Sequence, residues 1–199
     1  QYLPSVLEAL ENAKKNLHIP VVYNCGGYET AETIGALSEY VDIWLPDLKY
    51  YSPILSRRYS QAEDYFAVAS RAVEQMIRLT GPPEFGEYKD KRSGTACSIL
   101  RKGVIIRHMV LPGHKDDSIR LLYWMKDTLP KGGFLISLMS QYTPFYRSAD
   151  YPEINRRITT YEYEKVLNTA IELGLTDGFM QEKSSAKEEY TPPFELEGL

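Results

Sequence analysis

The chain has 199 residues, of which 43% are hydrophobic and 25% are charged, and a formal net charge of −4 at pH 7. This acidic balance argues against a nucleic-acid partner or an anionic membrane surface, and no apolar run approaches the ~18 residues of a transmembrane helix. The two cysteines, Cys25 and Cys97, lie far apart; this excludes a disulfide framework and a cysteine-only metal site and favours a cytoplasmic protein.

Helical and apolar patterns alternate along the first half of the chain. Apolar spacing predicts a helix, a buried strand, a second helix and a second strand over residues 3–16, 19–23, 29–40 and 41–45. Pro53 is expected in a loop. A longer amphipathic helix then begins near Tyr65 and ends at the Gly-Pro-Pro of residues 81–83.

The second half continues this alternation after a polar, irregular segment over residues 82–103. Strands are predicted over 104–111, 134–139 and 178–181. Asp117 or Ser118 is expected to cap the helix after the first of these, with Ile119, Leu122, Tyr123 and Leu129 facing inward. Thr159 and Glu162 form a capping box for a last helix, which has Tyr163, Val166, Leu167, Ala170 and Ile171 on one face and ends at Gly174.

The strands are continuous apolar runs with helices between them, which is typical of a parallel sheet covered by helices. We therefore predict an α/β fold, an incomplete parallel (β/α) barrel of about four to five strands. Residues 1–181 would form this domain, and 182–199 a polar C-terminal tail. Four βα units cannot close an eight-stranded barrel, so a segment of a longer protein is expected.

Polar residues follow the strands where parallel sheets carry their ligand sites. Because side chains alternate between the two faces of a strand, residue parity selects those that share the concave face. This argument selects a set of five: Asn24, Asp47, Lys49, Arg107 and Tyr142. Their charges suit a polar ligand that carries a carboxylate together with an amine or hydroxyl group. A structural ion pair or simple solvation at the rim is the alternative interpretation.

The three histidines do not show the spacing of a zinc site. His108 has the opposite parity to Arg107 and is expected to face the covering helices. His114 lies in the loop after a Pro-Gly turn, where a role in the site is open. The adjacent Gly26 and Gly27 could let the backbone approach a ligand, although no phosphate-loop pattern surrounds them.

Six stretches in order resemble one family. They are PVVYNCGGYE (20–29), VDIWLPDLKYY (41–51), RHMVLPGHKDDS (107–118), ISLMSQYTP (136–144), YPEINRRIT (151–159) and the terminal GFMQEKSSAKEEYTPPFELEGL (178–199). The chain resembles the C-terminal portion of radical S-adenosylmethionine proteins of the pyruvate formate-lyase activating enzyme-like group. The segment 84–102 has no good match in that family and is interpreted as an insertion.

This resemblance implies a partial (β/α)6 barrel of the radical S-adenosylmethionine type. Related activases hold a [4Fe-4S] cluster on a CxxxCxxC loop and cleave S-adenosylmethionine reductively to a 5′-deoxyadenosyl radical. The resemblance implies that Asn24 contacts the adenosyl ribose region, that Asp47 and Lys49 are the charged pair of the DLK motif, and that Arg107 holds the methionyl group. Tyr142 stands near a position where relatives have histidine, and Asn24 replaces an aspartate of some relatives beside a monovalent-cation site.

The CxxxCxxC loop is absent from these 199 residues. We therefore expect S-adenosylmethionine and the cluster to act in a full-length protein, and this chain alone to be inactive and to bind neither. The partners implied are a glycyl radical enzyme or another protein substrate, and a reductant such as flavodoxin or ferredoxin. Two alternatives remain open: a non-catalytic binding or scaffold domain that holds a small anion or a protein partner, and an aldolase-like barrel that uses Lys49 as a Schiff-base amine.

Overall fold

Six strands form one open, mostly parallel sheet in the computed structural model of the chain, which describes residues 2–89 and 95–180. The strands are β1 (Val22–Cys25), β2 (Ile43–Pro46), β3 (Glu84–Lys89), β4 (Ala96–Met109), β5 (Leu135–Met139) and β6 (Gly178–Met180). Five of them run parallel in the order β1-β2-β4-β5-β6, and β3 pairs with β4 in the antiparallel direction. The predicted incomplete α/β barrel is confirmed, with one strand more than expected.

Among the described residues, six α-helices connect or cover the strands. They are α1 (Leu3–Lys14), α2 (Ala31–Leu37), α3 (Pro53–Ser60), α4 (Tyr65–Thr80), α5 (Lys115–Thr128) and α6 (Thr160–Glu172), with a 3-10 turn over Tyr146–Asp150. None of the helices within the described ranges combines the length and the apolar character that crossing a bilayer requires.

One face of the sheet packs on the helices, and the other stays partly open. Trp44, Val104 and Ile106 point to the helices and are at most 1% exposed. Their strand neighbours on the opposite face, such as Ile105 and Arg107, are only half-buried. This two-residue alternation in burial is what the parity argument assumed for β4, whereas in β2 both Ile43 and Trp44 are buried.

Several element predictions were wrong at their ends. The first strand begins at Val22, and Ile19 is 71% exposed, because the pairing with β2 starts only at Val22. The helix α3 was not predicted: Pro53, expected in a loop, lies in its first turn, where the fixed φ and the missing N–H of proline are tolerated. The helix α5 begins at Lys115 with His114 at the N-cap, so neither Asp117 nor Ser118 caps it.

The segment 82–103 was predicted to be irregular, yet much of it forms an antiparallel hairpin of β3 with the extended N-terminal half of β4. Phe85 and Tyr88 are about half exposed, and Ala96–Ser98 are exposed, so the described part of the hairpin has no fully buried face. Such a ribbon has no hydrophobic periodicity to reveal it in the sequence. Residues 90–94 of the proposed insertion lie outside the described part.

The ends of α6 follow the prediction. Thr159 and Glu162 make the reciprocal capping box, and Gly174 has a φ of 72° just beyond the helix. On the predicted apolar faces, however, Tyr123 and Ile171 are 50% and 51% exposed. Both occupy the margins of amphipathic helices, where a shift of one residue, about 100° around the axis, moves a side chain to solvent. The end of the last predicted strand, Gln181, and the tail 182–199 lie outside the described residues.

Candidate functional site

Four of the five predicted site residues meet in one network of contacts at the carboxyl ends of β1, β2 and β4. Arg107 Nη2 lies 2.5 Å from Asp47 Oδ1 and donates to Asn24 Oδ1 at 2.6 Å. Lys49 Nζ lies 3.7 Å from Asp47 Oδ2. The parallel register makes this possible, because it places Asn24 opposite Leu45 and brings Asp47 beside Arg107.

These side chains border a cavity of about 330 Å³ on the concave face of the sheet. Its lining joins a polar side with an apolar side: Asp47, Lys49, Tyr50, Arg107, Met109, Leu111, Met139, Gln141 and Tyr142. Asn24 does not line it and reaches it only through Arg107. The cavity has the size of a small-molecule site.

Tyr142 lines the cavity, but not for the predicted reason. It was grouped with Leu138, and Leu138 is fully buried on the helical side of the sheet, where its carbonyl accepts a hydrogen bond from Tyr163. Because β5 ends at Met139, strand parity no longer applies to Tyr142, and the loop brings it back to the concave face. Met139 lines the cavity from the strand itself. Burial raises the pKa of the Tyr142 hydroxyl, which therefore stays protonated at neutral pH.

The electrostatics of the rim leave one positive charge in excess, since Arg107 and Lys49 face the single carboxylate of Asp47. The Arg107 Nε atom is buried and has no hydrogen-bond partner among the described residues. A buried donor without an acceptor is costly. The rim can thus bind an additional acceptor, such as a carboxylate, beside Asp47.

Cys25 ends β1 close to this rim and is buried. Burial raises the pKa of its thiol to about 11, so the thiolate that metal binding or nucleophilic attack needs is scarce at neutral pH. Cys97 lies exposed on the hairpin. Within residues 2–89 and 95–180, no group of three or more histidine, cysteine, aspartate or glutamate side chains could hold a metal ion.

Of the two glycines after β1, Gly27 serves close packing within the protein. A Cβ atom on Gly27 would lie 2.1 Å from the carbonyl oxygen of Asp47, and the residue has a φ of 79°. A Cβ atom on Gly26 would have no atom within 4 Å. Gly27 therefore lets the turn after β1 approach the backbone of the DLK segment, residues 47–49.

His108 and His114 both have structural partners. His108 is buried, as predicted, and its ring nitrogens lie 2.7 Å from the Leu48 carbonyl oxygen and 2.8 Å from Ser118 Oγ. His114 lies 2.7 Å from the hydroxyl of Tyr59, which also donates to Glu153 at 2.8 Å. Burial and Glu153 raise the pKa of Tyr59 to about 12. This group joins α3 to the N-cap of α5 and to the segment that follows β5, and it does not line the cavity.

Sequence reasoning missed several residues that the cavity needs. Met139 and Gln141 line it although the parity argument assigned the concave face to their neighbours. Tyr65 was assigned only to a helix, yet its hydroxyl contacts the backbone of the DLK segment. The register of β5 against β4, which pairs Met109 with Met139, would have identified Met139.

Comparisons with known proteins support the fold and leave the activity open. No family model matches the sequence. A protein of Methanocaldococcus jannaschii, described as uncharacterized, is 32% identical over 171 residues, which are 85% of this chain and 42% of that protein. The chain therefore spans less than half the length of this relative.

Among solved structures, a domain of pyruvate-formate lyase-activating enzyme from Bacteroides vulgatus superposes with a TM-score of 0.62. The match covers 91% of this chain and 92% of that domain, at 10% sequence identity. Identity this low establishes a shared fold and nothing about shared chemistry. The chain has the open α/β fold of that activating-enzyme domain.

Proposed function

We propose that this chain is the C-terminal part of a radical S-adenosylmethionine oxidoreductase of the glycyl-radical-enzyme activase type. In the full-length protein, the rim of Asn24, Asp47, Lys49, Arg107 and Tyr142 would bind the polar groups of S-adenosylmethionine. One observation carries the proposal. Residues from three strands form a continuous polar contact chain beside a cavity, on the sheet edge where α/β proteins bind ligands.

The chain's own residues suit binding and orientation. Arg107 offers a buried, unpaired Nε–H beside its contacts with Asp47 and Asn24, which fits an arginine that also receives a ligand carboxylate. Asp47 can accept from an amine or hydroxyl group. The apolar side, with Met109, Leu111 and Met139, offers contact area for an uncharged part of the ligand.

S-Adenosylmethionine supplies a 5′-deoxyadenosyl radical when it is cleaved reductively, and the electron would come from a [4Fe-4S] cluster. The described residues offer no ligand set for that cluster. We assign its binding to other residues of the full-length protein. A glycyl radical enzyme or another protein would be the substrate, and flavodoxin or ferredoxin the reductant.

The aldolase-like alternative loses support from the geometry of Lys49. Its side chain is 48% exposed, and its Nζ lies 3.7 Å from the Asp47 carboxylate. A Schiff-base lysine needs desolvation or a cationic neighbour to release its proton. Lys49 is half exposed and its contact is with a carboxylate, so neither condition is met. A scaffold domain that holds a small anion would use the same Arg107, and the experiment below separates it from the activase.

The test uses the full-length protein with its cluster reconstituted under anaerobic conditions. Incubation with S-adenosylmethionine and a strong reductant should yield 5′-deoxyadenosine. Replacement of Arg107 by glutamine should weaken S-adenosylmethionine binding by about 10- to 100-fold, since charged hydrogen bonds contribute about 1.5–3 kcal/mol.

Arg101→Gln is the matched control, because Arg101 lies exposed on the same strand outside the cavity. It should leave affinity and cleavage unchanged. No 5′-deoxyadenosine from a protein with a filled cluster would refute the activase. Small-anion binding that depends on Arg107 without any cleavage would favour the scaffold domain.

A further inference from the structure

Buried side chains hold the DLK segment on both of its edges, one from α4 and one from β4. We propose that Tyr65 and His108 are positioning residues, which hold the backbone of residues 47–49 so that Asp47 and Lys49 face the cavity and Asp47 meets Arg107. For the identity of the ligand, this inference rests on the proposed function. The geometry of the segment is independent of that function.

Residues 47–49 continue the path of β2 in an extended conformation. Asp47 and Lys49 line the cavity, whereas Leu48 between them is fully buried on the helical side. In an extended chain, successive residues turn their hydrogen-bonding groups to opposite edges. The carbonyl of Asp47 and the N–H of Lys49 therefore share one edge, and the groups of Leu48 share the other.

Tyr65 satisfies the first edge. Its hydroxyl accepts from the Lys49 N–H at 3.1 Å and lies 2.8 Å from the Asp47 carbonyl oxygen and 2.9 Å from that of Gly26. The neighbouring strand β1 pairs with β2 only as far as Cys25, whose carbonyl accepts from the Asp47 N–H. The hydroxyl thus takes over where the backbone of β1 turns away.

His108 satisfies the second edge. The Leu48 N–H donates to the Arg107 carbonyl at 2.8 Å, and the Leu48 carbonyl lies 2.7 Å from His108 Nδ1. A carbonyl can only accept, so Nδ1 carries the proton. Burial lowers the pKa of His108, which keeps the ring neutral. Nε2 then accepts from the Ser118 hydroxyl at 2.8 Å, which fixes the ring plane.

Both anchors are rigid because they belong to the core. Tyr65 is 4% exposed and His108 is 1% exposed. Loss of either side-chain contact leaves a buried backbone group without a partner, and the adjacent peptide can relieve that cost by rotating. Rotation of a peptide in this segment swings Asp47 or Lys49 away from its present direction, because each side chain follows its own backbone.

If the Tyr65 hydroxyl served only to stabilise the fold, its removal would have a different result. Any buried tyrosine that bonds a strand carbonyl would then lower stability when it loses its hydroxyl, without an effect on the rim. Tyr163 provides that control, since it is 3% exposed and donates to the Leu138 carbonyl on β5 at 3.1 Å. Tyr163→Phe and Tyr65→Phe remove the same atom from comparable environments.

The first readout is the state of Arg107 in this chain. A guanidinium that donates to a carboxylate and an amide oxygen gives slowly exchanging Nη–H resonances in nitrogen-edited NMR spectra, and Arg107→Lys assigns them by their disappearance. We expect Tyr65→Phe and His108→Leu to shift or broaden these resonances at a temperature where each variant is folded. Tyr163→Phe should leave them unchanged. His108→Asn, which can still donate to the Leu48 carbonyl, should restore much of the wild-type spectrum.

The second readout is the affinity of the reconstituted full-length protein for S-adenosylmethionine. Tyr65→Phe and His108→Leu should weaken it about tenfold, the equivalent of one lost hydrogen bond, and Tyr163→Phe by less than about twofold. The positioning role would be overturned by unchanged Arg107 resonances in both Tyr65→Phe and His108→Leu. An equal loss of affinity in Tyr163→Phe would also overturn it. A wild-type protein that binds no S-adenosylmethionine would refute the proposed function only, because the Arg107 resonances still decide the present question.

Discussion

Replacement of Gly27 by alanine tests the tightest backbone contact at the site. A Cβ atom there would lie 2.1 Å from the Asp47 carbonyl oxygen and 3.3 Å from the Tyr65 hydroxyl. A left-handed φ costs a residue with a Cβ atom about 1–2 kcal/mol, and overpacking adds about 1–3 kcal/mol. We therefore expect Gly27→Ala to lower the free energy of unfolding by about 2–5 kcal/mol.

Urea unfolding followed by circular dichroism measures this effect. With an m-value of about 2 kcal/mol/M, the midpoint should fall by about 1–2.5 M. Gly26→Ala is the matched control: a Cβ atom there meets nothing within 4 Å, and its φ is not positive. Its effect should stay below about 1 kcal/mol. Equal midpoints for the two variants would refute the claim that Gly27 is required for close approach to the DLK segment.

Two further predictions concern acid stability and iron binding. The buried Glu162 carboxylate accepts from Arg156, Thr159 and the Gly113 N–H, and the Arg156 contact is the main cause of its lowered pKa. Its stabilisation is therefore complete above the unfolded pKa of about 4.3 and is lost as the pH falls through the lower folded value. The melting temperature of wild type should drop more steeply below pH 4 than that of Glu162→Gln, and parallel curves would contradict this. Anaerobic reconstitution of this chain alone should give no stoichiometric iron–sulfur absorbance band, and such a band would show that its own residues hold a cluster.

The polar rim could be predicted from the sequence to the extent that strands impose a simple geometry. Parallel strands end on one edge, and their side chains alternate, so Asp47 and Arg107 could be placed together without a structure. The same rule gave the wrong reason for placing Tyr142 at the cavity, because the alternation of side chains ends where the strand ends at Met139. Parity arguments hold within a strand and lose their basis in the loop beyond it.

The hairpin of β3 and β4 could not be predicted in this way. Its pairs, such as Phe85 with Leu100 and Tyr88 with Cys97, join residues across an exposed ribbon. Neither face is buried, so no selection for alternating polarity leaves a pattern in the sequence. Backbone pairing between the two strands stabilises the hairpin, and the amino-acid composition does not reveal which segments pair.

The anchors of the DLK segment show why a charged rim is only part of a site. Tyr65 lies 16 residues beyond Lys49, and His108 lies 60 residues beyond Leu48. Each contacts a backbone atom, which is the same for every residue type, so neither leaves a complementary partner in the sequence. The charged residues are recognisable because their side chains must carry the chemistry. Their direction is set by the backbone beneath them, and that backbone is held by a phenol and an imidazole that never reach the cavity. A variant of either anchor should therefore alter the rim while every charged residue of the rim is unchanged.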